Sequence, residues 1–232
     1  MQRINQVNSQ MNGRNTQSRW RTRSLSMTTG AHRVRRLVAA ALLAAALVIV
    51  PAATPFSTTA LIPAASASCP GAEVVFARGR EEPPGLGAVG DAFVNSLRGK
   101  TRVPIGVYGV NYPANISVDS GANDLSGHVQ FMAKNCPNTR EVLGGYSLGA
   151  EVVDVATWGR IPPGVDQHVA AVALFGNGTR GIPPAYSGKT IDQCAPGDPI
   201  CGRGTNWPSH LQPSYLGSGL VDQAASFVAG KL

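Results

Sequence analysis

Residues 142–150 read Val-Leu-Gly-Gly-Tyr-Ser-Leu-Gly-Ala, and the fold is decided by how this stretch is read. A short apolar run leads into Gly145-Tyr146-Ser147-Leu148-Gly149, and Ala-Glu-Val-Val then opens a helical pattern. Gly-x-Ser-x-Gly between a strand and a helix is the nucleophile elbow of α/β-hydrolases. So sharp a turn lifts the serine hydroxyl clear of the sheet, and a Cβ at Gly145 or Gly149 would crowd it. The backbone N–H of Leu148, at the start of the helix, would face the negative charge that develops on a bound carbonyl oxygen. The motif is short, so its surroundings must support it.

They do. Upstream, residues 73–78 form an apolar strand that runs into Gly79-Arg80-Glu81-Glu82-Pro83-Pro84-Gly85-Leu86-Gly87, a loop punctuated by Pro and Gly. Residues 88–97 are helical in pattern, and residues 103–108 form the next strand. From 117 to 134, Val118, Ala122, Leu125, Val129 and Met132 recur at spacings of four and three, an amphipathic helix. Residues 140–144 enter the elbow and 148–157 leave it as a helix. Residues 169–175 are continuously apolar, as expected of a parallel strand buried on both faces. Residues 189–194 give a fifth strand, and 220–232 a last helix. Strands alternating with helices predict an α/β fold, a parallel sheet covered on both sides.

Of 232 residues, 1–67 read as an N-terminal extension with a secretion signal, and 68–232 as one catalytic domain. Arg33, Arg35 and Arg36 precede 14 apolar residues, 37–50, too few to span a bilayer comfortably and suited to the apolar core of a signal peptide. Ala65-Ser66-Ala67 offers a cleavage site after Ala67, and the polar stretch ahead of Met27 suggests that translation starts there. The net charge of +7 belongs to the extension, which carries eight arginines and no acid. Residues 68–232 hold 12 basic and 13 acidic residues, so the domain has a net charge of −1 and no basic surface for nucleic acid. Export favours disulfides, and all four cysteines (Cys69, Cys136, Cys194 and Cys201) follow the cleavage site. Three connectivities are open, and the closeness of Cys194 to Cys201 favours a small loop there. No Cys-x-x-Cys pair or Cys/His cluster points to a metal.

An elbow serine needs a base and a group to orient it, in the chain order Ser, acid, His. Among the histidines, His32 is in the extension, His128 precedes the serine, and His168 stands at the amino end of a strand, the wrong edge of the sheet. His210, in a loop beyond the last strand, is the candidate base. Asp154 lies seven residues along the helix leaving the elbow, about 10 Å away. Asp166 is on the wrong edge, Asp192 is inside a strand, and Asp222 follows the histidine. Asp198, inside the Cys194–Cys201 interval, is the candidate acid.

Phe76-Ala77-Arg78-Gly79, Gly145-Tyr146-Ser147-Leu148-Gly149-Ala150, Gly197-Asp198-Pro199-Ile200-Cys201 and His210 together resemble the cutinase family, especially its mycobacterial secreted members. The likeness covers residues 69–232. It implies a compact α/β-hydrolase with a five-stranded parallel sheet, no full lid and serine-esterase activity without a cofactor or metal. It implies Ser147 as nucleophile, Asp198 as acid, His210 as base, and bridges Cys69–Cys136 and Cys194–Cys201. It also implies an oxyanion hole from the N–H groups of Leu148 and Arg80. Two residues depart from the family. Gln is usual at Leu148, and Ser or Thr is common at Arg80, whose hydroxyl would also contact the oxyanion. One lost donor costs about 2.7–4 kcal/mol, which predicts a competent but slow esterase.

Trp207, Pro208, Leu211, Tyr215 and Leu216, with Pro83, Pro84 and Leu86, are candidates for a rim that suits an acyl chain. The expected substrate is a short- to medium-chain ester or lipid and the expected state a monomer without a membrane span after cleavage. An acetylxylan-esterase-like deacetylase and a non-catalytic envelope-binding protein are the alternatives. Asn115-Ile116-Ser117 and Asn177-Gly178-Thr179 fit a glycosylation pattern.

Overall fold

Every side chain of Ala72–Ala77 (β1) is buried, because both faces of this strand are covered. Val74 and Phe76 turn to one layer, Val75 and Ala77 to the other. The computed structural model describes residues 68–232 apart from residue 180; the 37–50 run, the Ala67 cleavage site and Met27 lie outside the described residues. The remaining strands are Ile105–Gly109 (β2), Arg140–Tyr146 (β3), Val169–Phe175 (β4) and Thr190–Gln193 (β5). All pairings are parallel, in the order β2-β1-β3-β4-β5.

Among the described residues the α-helices are Gly87–Arg98 (α1), Asp119–Asn135 (α2), Leu148–Thr157 (α3) and Pro184–Ser187 (α4), which connect the strands, and Gln212–Gly217 (α5) and Leu220–Ala229 (α6), which follow β5. Leu125 and Val129 of α2 and Val152 and Val153 of α3 cover Val75, Leu143 and Val172 on one face. On the other, Phe93 and Leu97 of α1 and Ala224 and Val228 of α6 meet Phe76 and Phe175. The rings of Phe76, Phe93 and Phe175 lie 5.9–6.4 Å apart, where tilted aromatic pairs attract. Among the described residues no helix is long and apolar enough to cross a membrane.

The chain steps from β1 to β2 in one direction and then returns across β1 to β3. At such a switch point the loops leaving two neighbouring strands part, and a crevice opens at their carboxyl ends. Here those loops follow β1 and β3, the glycine-rich 79–87 segment and the Ser147 turn.

The element boundaries shift by small amounts from the sequence expectation. β2 begins at Ile105 and not at 103, since Pro104 has no N–H to pair with β1 and serves only as acceptor for the Ala72 N–H. The last helix stops at Ala229, ahead of Gly230. α4, α5 and the 3-10 turns Val165–His168 and Trp207–His210 are too short to leave a hydrophobic period in the sequence. Cys69 bonds to Cys136, tying the chain ahead of β1 to the end of α2, and Cys194 bonds to Cys201. The chain-entropy argument assigns somewhat over ~4 kcal/mol to the long loop and ~2.5 kcal/mol to the short one.

Two carboxylates sit in register on the α2 face of the sheet, Glu73 on β1 and Glu141 on β3. Glu73 Oε2 is 2.6 Å from Nε2 of His128, whose ring stacks on Tyr108 at 3.6 Å. Glu141 is fully buried, and neither of its oxygens has a hydrogen-bond partner among the described residues. Burial, and then the neighbouring Glu73 charge, push the Glu141 carboxyl up to about 8 from 4.5. A folded value above the unfolded one means that stability is fully present below about 4.5 and is lost as pH rises through about 8. Glu141→Gln should therefore melt higher than the parent at pH 9, by an amount on the order of 3 kcal/mol, with little or no gain at pH 5. Thermal melts at both pH values check this.

Candidate active site

Ser147 occupies the single residue between β3 and α3, at φ 53° and ψ −119°. A non-glycine residue there costs about 1–3 kcal/mol, so the surroundings must impose it. Its N–H donates to Phe175 O at 2.8 Å and its carbonyl accepts from Ala150 N–H at 2.9 Å. The glycines on either side permit the turn. A Cβ on Gly145 would lie 2.3 Å from Gly149 O, and one on Gly149 would lie 1.9 Å from Ala77 O. Backbone atoms cannot yield to such contacts.

His210 closes the Trp207–His210 turn, and its carbonyl accepts from the Tyr146 hydroxyl at 2.5 Å. Its Nε2 lies 2.8 Å from Ser147 Oγ, and its Nδ1 lies 2.8 Å from Asp198 Oδ2. An ionised carboxylate only accepts, so Nδ1 carries the proton and Nε2 presents its lone pair to the serine hydroxyl. Asp198 is fully buried. Burial alone would raise its carboxyl; donation from Tyr215, His210 and the Ile200 N–H outweighs that and holds it below the usual carboxylate range. The structure thus brings together Ser147, Asp198 and His210 from three separate segments.

The other candidates lie elsewhere. His128 pairs with Glu73 at the amino end of β1, and His168 precedes β4. Asp154 is buried against Thr179 and Asn177, and Asp222 pairs with Lys100. Asn177 itself is buried, which removes it as a glycosylation acceptor in the folded chain. Cys194, Asp198 and Cys201 come close enough to suggest a metal set, but both sulfurs are joined in the disulfide.

Around the serine, the N–H groups of Leu148 and Arg80 donate to no group among the described residues. Leu148 opens α3, so its N–H has no acceptor within the helix. Its side chain, in place of the Gln expected of the family, packs into the α2/α3 core. The bracing of the loop before Arg80 falls to other residues. The buried Arg78 guanidinium donates to Glu82 O at 2.7 Å, Tyr112 O at 2.7 Å and Val110 O at 3.3 Å, and the Tyr112 hydroxyl donates back to Arg78 O. Glu82 Oε2 accepts from Gly79 N–H at 2.6 Å, and Oε1 accepts from Ala88 N–H at 2.9 Å and from Gln212 Nε2 at 2.7 Å. Sequence reasoning did not find Arg78, Glu82 or Gln212 in these roles. Only the Ala-Arg-Gly signature hinted at Arg78.

The serine opens into a cleft of about 390 Å³ whose lining includes Trp207, Leu211, Pro213, Arg80 and Glu81. Pro83, Pro84 and Leu86 line an adjoining groove and not the cleft. Tyr215 is not on the rim. It is fully buried beneath Asp198, to which its hydroxyl donates at 2.5 Å. Leu216 is exposed, but it and Pro208 do not line the cleft. Tyr215→Phe should lower stability by about 1–2 kcal/mol and move the Asp198 titration upward, because one of the donors that lower it is lost. Urea unfolding and NMR titration of the labelled carboxyl measure the two effects. A change in stability without a change in titration would show that the hydroxyl acts only through packing.

Comparison with known proteins gives the family. The cutinase family profile matches residues 68–232. The chain is 52% identical over 215 residues to the probable carboxylesterase Culp2 of Mycobacterium tuberculosis, covering 84% of this chain and 94% of that one. It is 50% identical over 221 residues to the phospholipase Culp4 of the same organism, covering 87% and 93%. Among solved structures, a Trichoderma reesei cutinase bound to a phosphonate inhibitor aligns with TM-score 0.60 and 32% identity over 70% of this chain and 77% of that one. The acetyl xylan esterase core of the same fungus aligns with TM-score 0.62 at 22% identity over 71% and 100%, a likeness of fold alone. The chain therefore belongs to the cutinase family.

Proposed function

We propose that this chain is a secreted serine esterase that hydrolyses short- to medium-chain acyl esters through Ser147, His210 and Asp198. Family membership makes it a carboxylic ester hydrolase, and relatives at 50–52% identity are named a carboxylesterase and a phospholipase. The observation that carries the reading is the continuous path from Ser147 Oγ to His210 and on to Asp198, 2.8 Å at each step, beside the N–H groups of Leu148 and Arg80, which donate to no group among the described residues.

Those distances support the following reaction. His210 Nε2 takes the hydroxyl proton as Oγ attacks the acyl carbonyl, and Asp198 stabilises the imidazolium that forms. The carbonyl oxygen, now an anion, turns to the N–H groups of Leu148 and Arg80. Collapse breaks the ester C–O bond, and His210 returns the proton to the departing alcohol. Water repeats the sequence on the acyl-enzyme and releases the acid. An acyl chain would lie along Trp207 and Leu211, both exposed at the cleft. Secretion is supported by the arginine-flanked apolar run at 37–50 and by two disulfides that persist only in an oxidising compartment.

Ser147→Ala should reduce hydrolysis of nitrophenyl butyrate by at least ~10⁴-fold, and Asp198→Asn by ~10³–10⁴-fold, with the Ser147→Ala melting temperature little changed. Butyrate and octanoate esters should outrun the palmitate. Parent protein that neither hydrolyses these esters nor is labelled at Ser147 by a fluorophosphonate would instead support a non-catalytic binding protein.

A further inference from the structure

Arg80 lies in a tight turn over residues 79–82. Glu82 N–H approaches Gly79 O at 3.4 Å, and Glu81 sits at φ 60°. A left-handed φ at a glutamate is disfavoured and persists only where the surroundings impose it. Two contacts do so here. Glu81 N–H donates to Ala114 O at 2.8 Å, and the Glu82 side chain folds back so that Oε2 accepts from Gly79 N–H at 2.6 Å. Arg80 stands between these two fixed points, so they set the direction of its N–H.

The carboxylate has a seat shaped to it. A Cβ on Gly87 would lie 2.4 Å from Oε2, and one on Gly79 would lie 3.0 Å from the same oxygen. Oε1 accepts from Ala88 N–H at 2.9 Å, in the first turn of α1, where the helix dipole also favours a negative group. The same oxygen accepts from Gln212 Nε2 at 2.7 Å. All three partners are donors. A carboxylate accepts from each of them, whereas an amide in its place would set its NH2 against at least one. Gln212 opens α5, stands two residues beyond His210, and lines both the cleft and the adjoining groove. Glu82 therefore joins the turn that carries Arg80 to the segment that carries His210, over 130 residues of chain.

Building on the esterase reading, we propose that Glu82 is a positioning residue for the oxyanion hole, and that Gln212 clasps its carboxylate from the His210 segment. The carboxylate holds the 79–82 turn closed, and the closed turn aims the Arg80 N–H at the carbonyl oxygen of a bound ester. Leu148 needs no such brace, because its N–H belongs to the first turn of α3. The negative charge of Glu82 by itself works against an oxyanion nearby, so the benefit it brings is geometric.

The test uses the full chain and compares nitrophenyl butyrate with its thiono analogue, in which sulfur replaces the carbonyl oxygen. Sulfur is larger and accepts hydrogen bonds weakly, so a well-aimed oxyanion donor favours the oxygen ester and a misplaced one favours it less. Glu82→Gln should lower kcat on nitrophenyl butyrate by ~10–100-fold with KM changed less than about twofold, and should lower the oxygen-to-sulfur ratio of kcat/KM by at least ~5-fold. Gln212→Leu leaves both backbone contacts of Glu82 in place and should lower the ratio by a smaller factor. The double variant should be no worse than Glu82→Gln alone, because Gln212 acts through Glu82. A Glu82→Gln protein that loses rate at an unchanged ratio, or that gains rate because a charge is gone, would overturn the positioning role while leaving the esterase reading intact. Should Glu82→Gln fail to fold, an unchanged ratio in Gln212→Leu overturns it. Losses that multiply in the double variant would overturn the clasp. Parent protein inactive on nitrophenyl butyrate would overturn the esterase reading itself.

Discussion

The start of α3 lies directly against the end of β1, so close that only glycine fits at position 149. That close approach organises the rest of the site. It goes with a serine held on a backbone conformation that its own side chain disfavours, and it sets the first turn of α3 against the backbone of Ala77 and Arg78, where the loop leaves β1. The sheet supplies the force: β1 and β3 pair along six residues, and two apolar layers clamp them from either side. Strain of ~1–3 kcal/mol at Ser147 is small beside the burial of those layers.

Buried charge is placed according to the same economy of partners. Asp198 is sealed from water, yet stays ionisable because Tyr215, His210 and a backbone N–H all donate to it. Arg78 is sealed as well, and three carbonyl oxygens and the face of Tyr112 take the place of water. Both groups lie beside the cleft at the carboxyl ends of the strands. Glu141, at the opposite edge, has no such partners, and its carboxyl is pushed toward the neutral form. The contrast separates charges whose hydrogen bonds fix a site from a charge that the fold merely accommodates.

Much of this was legible beforehand because its signals are local. Gly145 and Gly149 flank Ser147 at the spacing a tight turn requires, and the seven-residue apolar run at 169–175 has the length and β-branched content of a strand covered on both faces, which β4 is. The helix at 148–157 coincides with α3 because its pattern has no competing turn residue. The misreadings share one cause. Tyr215 looked like part of an acyl rim because it sits five residues from His210, but the six-residue α5 turns it inward under Asp198. Pro83, Pro84 and Leu86 were assigned to the same rim, while Glu82 and Gln212, 130 residues apart in the chain, meet beside the cleft at its border with the groove.

The sequence alone determined the α/β class and the elbow pattern, since each depends on residues close to one another along the chain, and the order rule for serine, acid and histidine then singled out Asp198 and His210 as candidates. The tertiary structure decided what supports Asp198, and how the loop around Arg80 is braced once Leu148 turns into the core. Those outcomes depend on contacts between segments as far apart as Arg78 with Tyr112 and Glu82 with Gln212. A hydrogen bond across such a distance leaves no periodicity in the sequence, because its geometry exists only after the sheet has brought both ends to one edge.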